Sequence, residues 1–164
     1  MFTPTEMARL GAGVIPGSFW ARAVPIGRWT GLRLSDIASL EWASLSTTIA
    51  VWTIKKDKRV ELPLYPEELE QAVSGIPKVD EKYCFPEQRR IVWDPKRRHA
   101  LSMQFKRLCH RCGIFGKSFH FLRHTYVTAC WAAGEAPEHI AKHVGHSSTS
   151  QTRAYNHLFR RTAA

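Results

Sequence analysis

The chain has 164 residues, 44% of them apolar and 23% charged, the size and composition of one globular domain with room for a real core. No run approaches the length of a membrane-spanning helix, and the opening Met-Phe-Thr-Pro-Thr-Glu lacks a secretory pattern, which argues against membrane spanning and secretion. The formal charge of +10 is unevenly placed: residues 1–82 carry ten basic and ten acidic side chains, residues 83–164 carry fourteen and four, and all eight histidines lie in the second half. Such a field suits a polyanion, nucleic acid first, although a merely soluble basic protein has the same sum.

Thr3-Pro4-Thr5-Glu6 is a helix start, with a hydroxyl cap, a proline at the first helical position and an acid in the first turn. The helix is expected to reach about Leu10 and break at Gly11-Ala-Gly13. A second helix is expected from near Ser18 to about Trp29, and a short one from Leu34 to Leu40. Between them, Thr30-Gly31-Leu32-Arg33-Leu34-Ser35-Asp36 puts Arg33 at the mouth of a turn, with Asp36 three residues on and able to brace it.

The period then changes. Thr47–Thr53 is β-branched and apolar, and Val60-Glu-Leu-Pro-Leu64 follows the polar Lys55-Lys-Asp-Lys58, the pattern of a β-hairpin. Lys55 opens that connection, where a long amine can reach over a neighbouring groove or simply be part of a charged turn. Pro66-Glu-Glu-Leu begins a further helix. Residues 75–97, with Pro77, Pro86 and Pro95, read as an irregular exposed loop. From Ala100 the chain reads as helices at roughly 100–112, 119–133, 136–144 and 148–154. The expected fold is α+β and mostly α-helical: one domain over residues 1–164, with a small antiparallel β-sheet inserted near residues 41–64.

Four cysteines raise the question of zinc. Cys109-His-Arg-Cys112 has the spacing of a first ligand pair, but no second pair follows and the stretch reads as amphipathic helix, so reduced thiols partly in the core are expected, with no bound metal and no disulfide framework.

His120-Phe-Leu-Arg123-His124 lies on an expected helix, where positions i and i+3 share a face. His120 and Arg123 can therefore grip one phosphate, the guanidinium bidentately and the imidazole as a proton carrier, or be two solvated helix residues. Val144-Gly145-His146-Ser147-Ser148 sets a histidine at a helix-to-helix junction, or is a plain capped turn. Tyr155 comes nine residues later, in Arg153-Ala-Tyr155-Asn-His157.

In this order, Arg33 in Thr-Gly-Leu-Arg, Lys55 in a hairpin, His120-x-x-Arg123-His124, Gly145-His146 and Tyr155 closely resemble the catalytic domain of the tyrosine recombinase (phage integrase) family, over nearly the whole chain. The resemblance implies that Tyr155 is the nucleophile on a phosphodiester of double-stranded DNA, forming a 3′-phosphotyrosyl link and releasing a 5′-hydroxyl. Arg33 and Arg123 would clamp the phosphate with His146 as a third donor, Lys55 would be the general acid, and His120 would give or take a proton. His124 would be structural or supporting. No cofactor is implied, metal or ATP, and the sequence has no Gly-rich phosphate loop or acidic metal cluster. A free tyrosine, with a pKa of about 10, is only about one part in a thousand ionised at pH 7, and two guanidinium groups favour its phenolate. Basic side chains between Arg89 and Arg111 would contact flanking phosphates in a salt-sensitive, largely sequence-blind way.

The resemblance starts at the family's catalytic part, so its usual N-terminal core-binding domain is expected to be absent, and nine residues follow Tyr155. The resemblance implies a monomer as an isolated domain, a tetrameric synapse on DNA, and a cytoplasmic, nucleoid-associated location. Two alternatives share the residues: DNA relaxation of the type IB topoisomerase kind, and a catalytically inactive DNA-binding module.

Overall fold

The computed structural model describes residues 1–53 and 58–145. Lys55, His146, Tyr155 and the expected helix at 148–154 lie outside them.

Helix α1 (Pro4–Gly13) begins as its sequence dictates: Thr3 accepts from the Glu6 amide and Glu6 accepts from the Thr3 amide, a reciprocal cap. It does not break at Gly11 but runs on through Gly13. A Cβ at Gly13 would stand 2.2 Å from Cys112 Sγ, so the glycine lets α1 lie close against another element. Lys117 Nζ ties this end down, donating to Glu6 and to the Met1 carbonyl, each at 2.5 Å.

Helix α2 (Phe19–Thr30) is capped by the Ser18 hydroxyl and ends at Gly31 in the left-handed region, φ 64°. It buries Ala23, Val24, Ile26, Gly27 and Thr30, and packs on α3 (Leu34–Ala38), α4 (Glu67–Ser74) and α7 (His120–Ala132). Phe19 and Trp20 at its start join Phe85, Phe105 and Phe119 in an aromatic centre, with ring separations of 5.0 Å for Phe19–Phe85 and 5.1 Å for Phe105–Phe119.

The expected sheet is present as β1 (Thr48–Thr53) antiparallel to β2 (Lys58–Pro63), with Ile49 opposite Leu62 and Val51 opposite Val60. Those four side chains are buried while Trp52 on the other face is 65% exposed, the period-two pattern of a half-buried strand pair.

Residues 75–97 are not an open loop. Pro86 occupies the first turn of a helix, α5 (Pro86–Trp93), and Pro95 follows its end, so two of the three prolines bracket a helix instead of preventing one. Ahead of it the chain pairs with residues 40–42, through Trp42 N–H to Lys82 O at 3.0 Å and Cys84 N–H to Leu40 O at 2.9 Å, and Cys84 and Phe85 are buried. The chain continues in α6 (Ala100–Arg111), α7 and α8 (Pro137–His143), close to their expected bounds. The fold is α+β and mostly helical, with one small antiparallel sheet. No helix among the described residues is long and apolar enough to cross a membrane.

Candidate active site

The turn after α2 is built from its own hydroxyl. Thr30 Oγ1 donates to Ile26 O at 2.6 Å and accepts from Leu32 N–H at 3.1 Å, while Gly31 reverses the chain. Arg33 therefore emerges at the first residue before α3, largely shielded, with Nη1 3.9 Å from Asp36 Oδ2. Asp36 is buried and supplies a negative charge behind the guanidinium at a distance too long for a hydrogen bond.

Arg33 lines an open cleft of about 590 Å³ together with His120. The lining adds Arg98, His99, Ser102 and Ser118, with Leu32, Val92 and Phe119 as apolar surface, and among the described residues it contains no carboxylate. Helices α6 and α7 both begin at this cleft, neither is capped by a side chain, and neither has an acid in its first turn. Their positive ends add to the field of the side chains.

His120 and Arg123 occupy different depths. His120, the first residue of α7, is exposed at the cleft, whereas Arg123, one turn on, is only 2% exposed. Its guanidinium donates to Gly31 O at 3.0 Å and to Val144 O. It thereby joins the turn that carries Arg33 to the segment that leads into His146, and it is not a solvated helix residue. Tyr126, one further turn along α7, packs against the same two places: a Cβ on Gly31 would meet Tyr126 Cδ1 at 2.8 Å and Val144 Cγ1 at 3.0 Å. Gly145 in turn lies against the hairpin, with room for a Cβ 3.4 Å from both Thr53 Cγ2 and Val60 Cγ2. The described chain thus brings the residue before His146 beside the strand end two residues before Lys55. Lys55, His146 and Tyr155 themselves fall outside the described residues.

His124 stands behind the site. Its ring stacks on Phe121 at 5.2 Å and meets His120 edge-on at 4.9 Å. Burial, reinforced by His120 and Arg123, pushes its imidazole down to about 4, so it is neutral at pH 7. The Cys109 thiol is pushed up to about 11, mainly by burial, and no group of three or more His, Cys, Asp or Glu side chains comes together to hold a metal among the described residues. The sequence reading places Arg98 among general phosphate contacts and does not single out His99. The signal, a basic run directly before an amphipathic helix, looks like any solvated turn.

The Phage integrase family profile matches residues 21–161. Comparison with curated proteins found none that matches. Among solved structures, XerA recombinase superposes with a TM-score of 0.77 at 24% identity, over 95% of this chain and 59% of that one. The Tn1549 transposon integrase in complex with circular intermediate DNA gives 0.74 at 18%, over 94% and 61%. The catalytic domain of bacteriophage HP1 integrase gives 0.72 at 21%, over 96% and 86%. The chain therefore spans about three-fifths of the XerA and Tn1549 chains and most of the HP1 catalytic domain, and it shares their fold. With most of its length matched by the family profile, this chain belongs to the phage integrase family.

Proposed function

We propose that this chain is the catalytic part of a recombinase that cuts and rejoins double-stranded DNA through a 3′-phosphotyrosyl intermediate. The observation that carries the reading is the cleft that brings Arg33 and His120 together with no carboxylate among its described lining residues, linked by Arg123 to the segment entering His146. Family membership supports it, as does the DNA held by the Tn1549 integrase of the same fold.

In this reading the Tyr155 oxygen attacks a phosphorus and the bond from that phosphorus to the 5′-oxygen breaks. The phenolic proton leaves to a base, for which His120 is placed at the cleft, and the departing 5′-oxygen takes a proton from Lys55. Arg33 and His146 neutralise the charge that builds on the non-bridging oxygens, while Arg123, sealed beneath them and held by the Gly31 and Val144 carbonyls, adds its positive charge from below and holds their two segments together. Rejoining is the reverse: a 5′-hydroxyl attacks the phosphotyrosine and the phenol is released. Phosphoryl transfer of this kind asks for in-line positioning and charge neutralisation, which these side chains supply.

The test uses a pool of duplexes randomised in sequence, each nicked beside its centre so that the released 5′-hydroxyl fragment diffuses away. The wild-type chain is expected to be trapped as a covalent adduct that survives denaturation, and Tyr155→Phe is expected to give none. No adduct from the wild type, or equal trapping by the variant, overturns the proposal.

A further inference from the structure

One side of the cleft has no role in the chemistry proposed above. Arg98, His99 and Ser102, at the start of α6, line the same space as Arg33 and His120. Arg98 and His99 are exposed, and neither side chain has a hydrogen bond or ion pair among the described residues. Three other cations of this half are already engaged: Arg89 lies over the Tyr83 ring at 4.0 Å, Lys117 is bonded to Glu6, and Arg123 to two carbonyls. The backbone beneath Arg98 is held firmly. Asp94 Oδ1 accepts from Lys96 N–H at 2.9 Å, Asp94 O accepts from Arg98 N–H at 2.9 Å, and Trp93 Nε1 donates to Ser39 Oγ at 3.2 Å, fastening the end of α5 beside α3.

The cleft also carries basic groups from two separate helix starts, those of α6 and α7, besides that of Arg33.

We propose that Arg98 and His99 form a second phosphate subsite, holding one of the two phosphates that flank the linkage to be cut. The inference rests on the DNA-cleaving reading of the same cleft. A strand gripped at a single phosphate can still rotate about its neighbouring bonds. A second grip fixes the direction of the bond that breaks, which in-line attack requires. Arg98 can hold two phosphate oxygens at once, and His99 adds an N–H donor beside it. Both are positioning residues and touch no reacting atom.

The experiment replaces each flanking phosphate of the nicked duplex, one at a time, by an uncharged methylphosphonate. With the wild-type chain, one of the two replacements is expected to slow adduct formation about 10–100-fold, the size of one lost charge-assisted grip. The Arg98→Ala/His99→Ala chain is expected to be slowed similarly on ordinary DNA and to lose nothing more on the methylphosphonate. Arg9→Ala, on α1 with its guanidinium bonded to the Gly113 carbonyl, is expected to keep the full sensitivity. Arg98→Ala alone should reduce the slope of log affinity against log salt by about 0.9, and Arg98→Lys should restore it. A wild-type chain indifferent at both positions, or a double variant still sensitive at the same one, overturns the subsite. Salt-dependent binding without any adduct defeats the cleavage reading, and the slope comparison then decides the subsite separately.

Discussion

Arg123 and His120 illustrate how far one helical turn separates two roles. Spacing of i and i+3 puts both on one face of α7, yet the helix starts at the cleft and runs into the core, so the first residue is wet and the fourth is sealed. Arginine at such a depth must be hydrogen-bonded, and the Gly31 and Val144 carbonyls supply partners. His124, behind the site, is kept neutral mainly by burial, and this has a pH signature. Its folded value near 4 lies below the unfolded value of about 6.5, so between those limits the unfolded chain binds more protons. Its contribution to stability is therefore complete above about pH 6.5, falls as pH drops, and is gone near pH 4. Full burial would make this about 3 kcal/mol, and the partial exposure of the ring reduces it to about 1–2 kcal/mol. His143, also lowered mainly by burial, acts in the same direction. Urea unfolding at pH 7 and pH 4.5 should show His124→Gln losing less stability on acidification than the wild type; equal losses would exclude His124 as a source.

Among the elements, the turn between α2 and α3 is the most demanding. Alanine at Gly31 would place a side chain at φ +64° and press a Cβ to 2.8 Å from Tyr126 and 3.0 Å from Val144. The left-handed backbone costs about 1–2 kcal/mol and the overpacking about 1–3 kcal/mol. Gly31→Ala should therefore lower the unfolding free energy by about 2–5 kcal/mol and reduce adduct formation at least tenfold at a temperature where it remains folded. Gly116→Ala is the control: φ is +70°, but nothing lies within 4 Å, so about 1 kcal/mol and an unchanged adduct yield are expected. Equal effects from the two substitutions would show that the turn matters only through its backbone.

That turn was legible because Thr-Gly-Leu-Arg announces a cap and a reversal locally, and the hairpin was legible because period two is local as well. Pairing of residues 80–84 with 40–42 has no such local mark. Treating Pro86 as a breaker hid α5, although proline is at home in a first helical turn. Arg33 and His120 stood out by their settings; that they share a cleft depends on contacts between distant segments, and His99 carries no mark separating it from any solvated residue.

Over the whole molecule, the +10 charge belongs to residues 83–164, and its described part is largely available. Arg90, Lys96, Arg97, Arg98, Lys106, Arg107 and Arg111 are all exposed, whereas Arg123 is sealed and Lys117 is paired. A duplex lying along the cleft cannot meet every one of them, because they come from different faces of α5, α6 and the turn between. If four to six neutralise phosphates, each releases about 0.9 counterion, and log affinity should fall against log salt with a slope of about −4 to −5. Binding of an unrelated duplex by the intact chain, measured from 50 to 300 mM salt, gives this slope directly. A value shallower than −2 would mean that the basic surface serves solubility and that DNA is held by the cleft alone. A steep slope shared by unrelated sequences would place recognition of a particular site in contacts other than these cations, since phosphate contacts position a duplex without reading it.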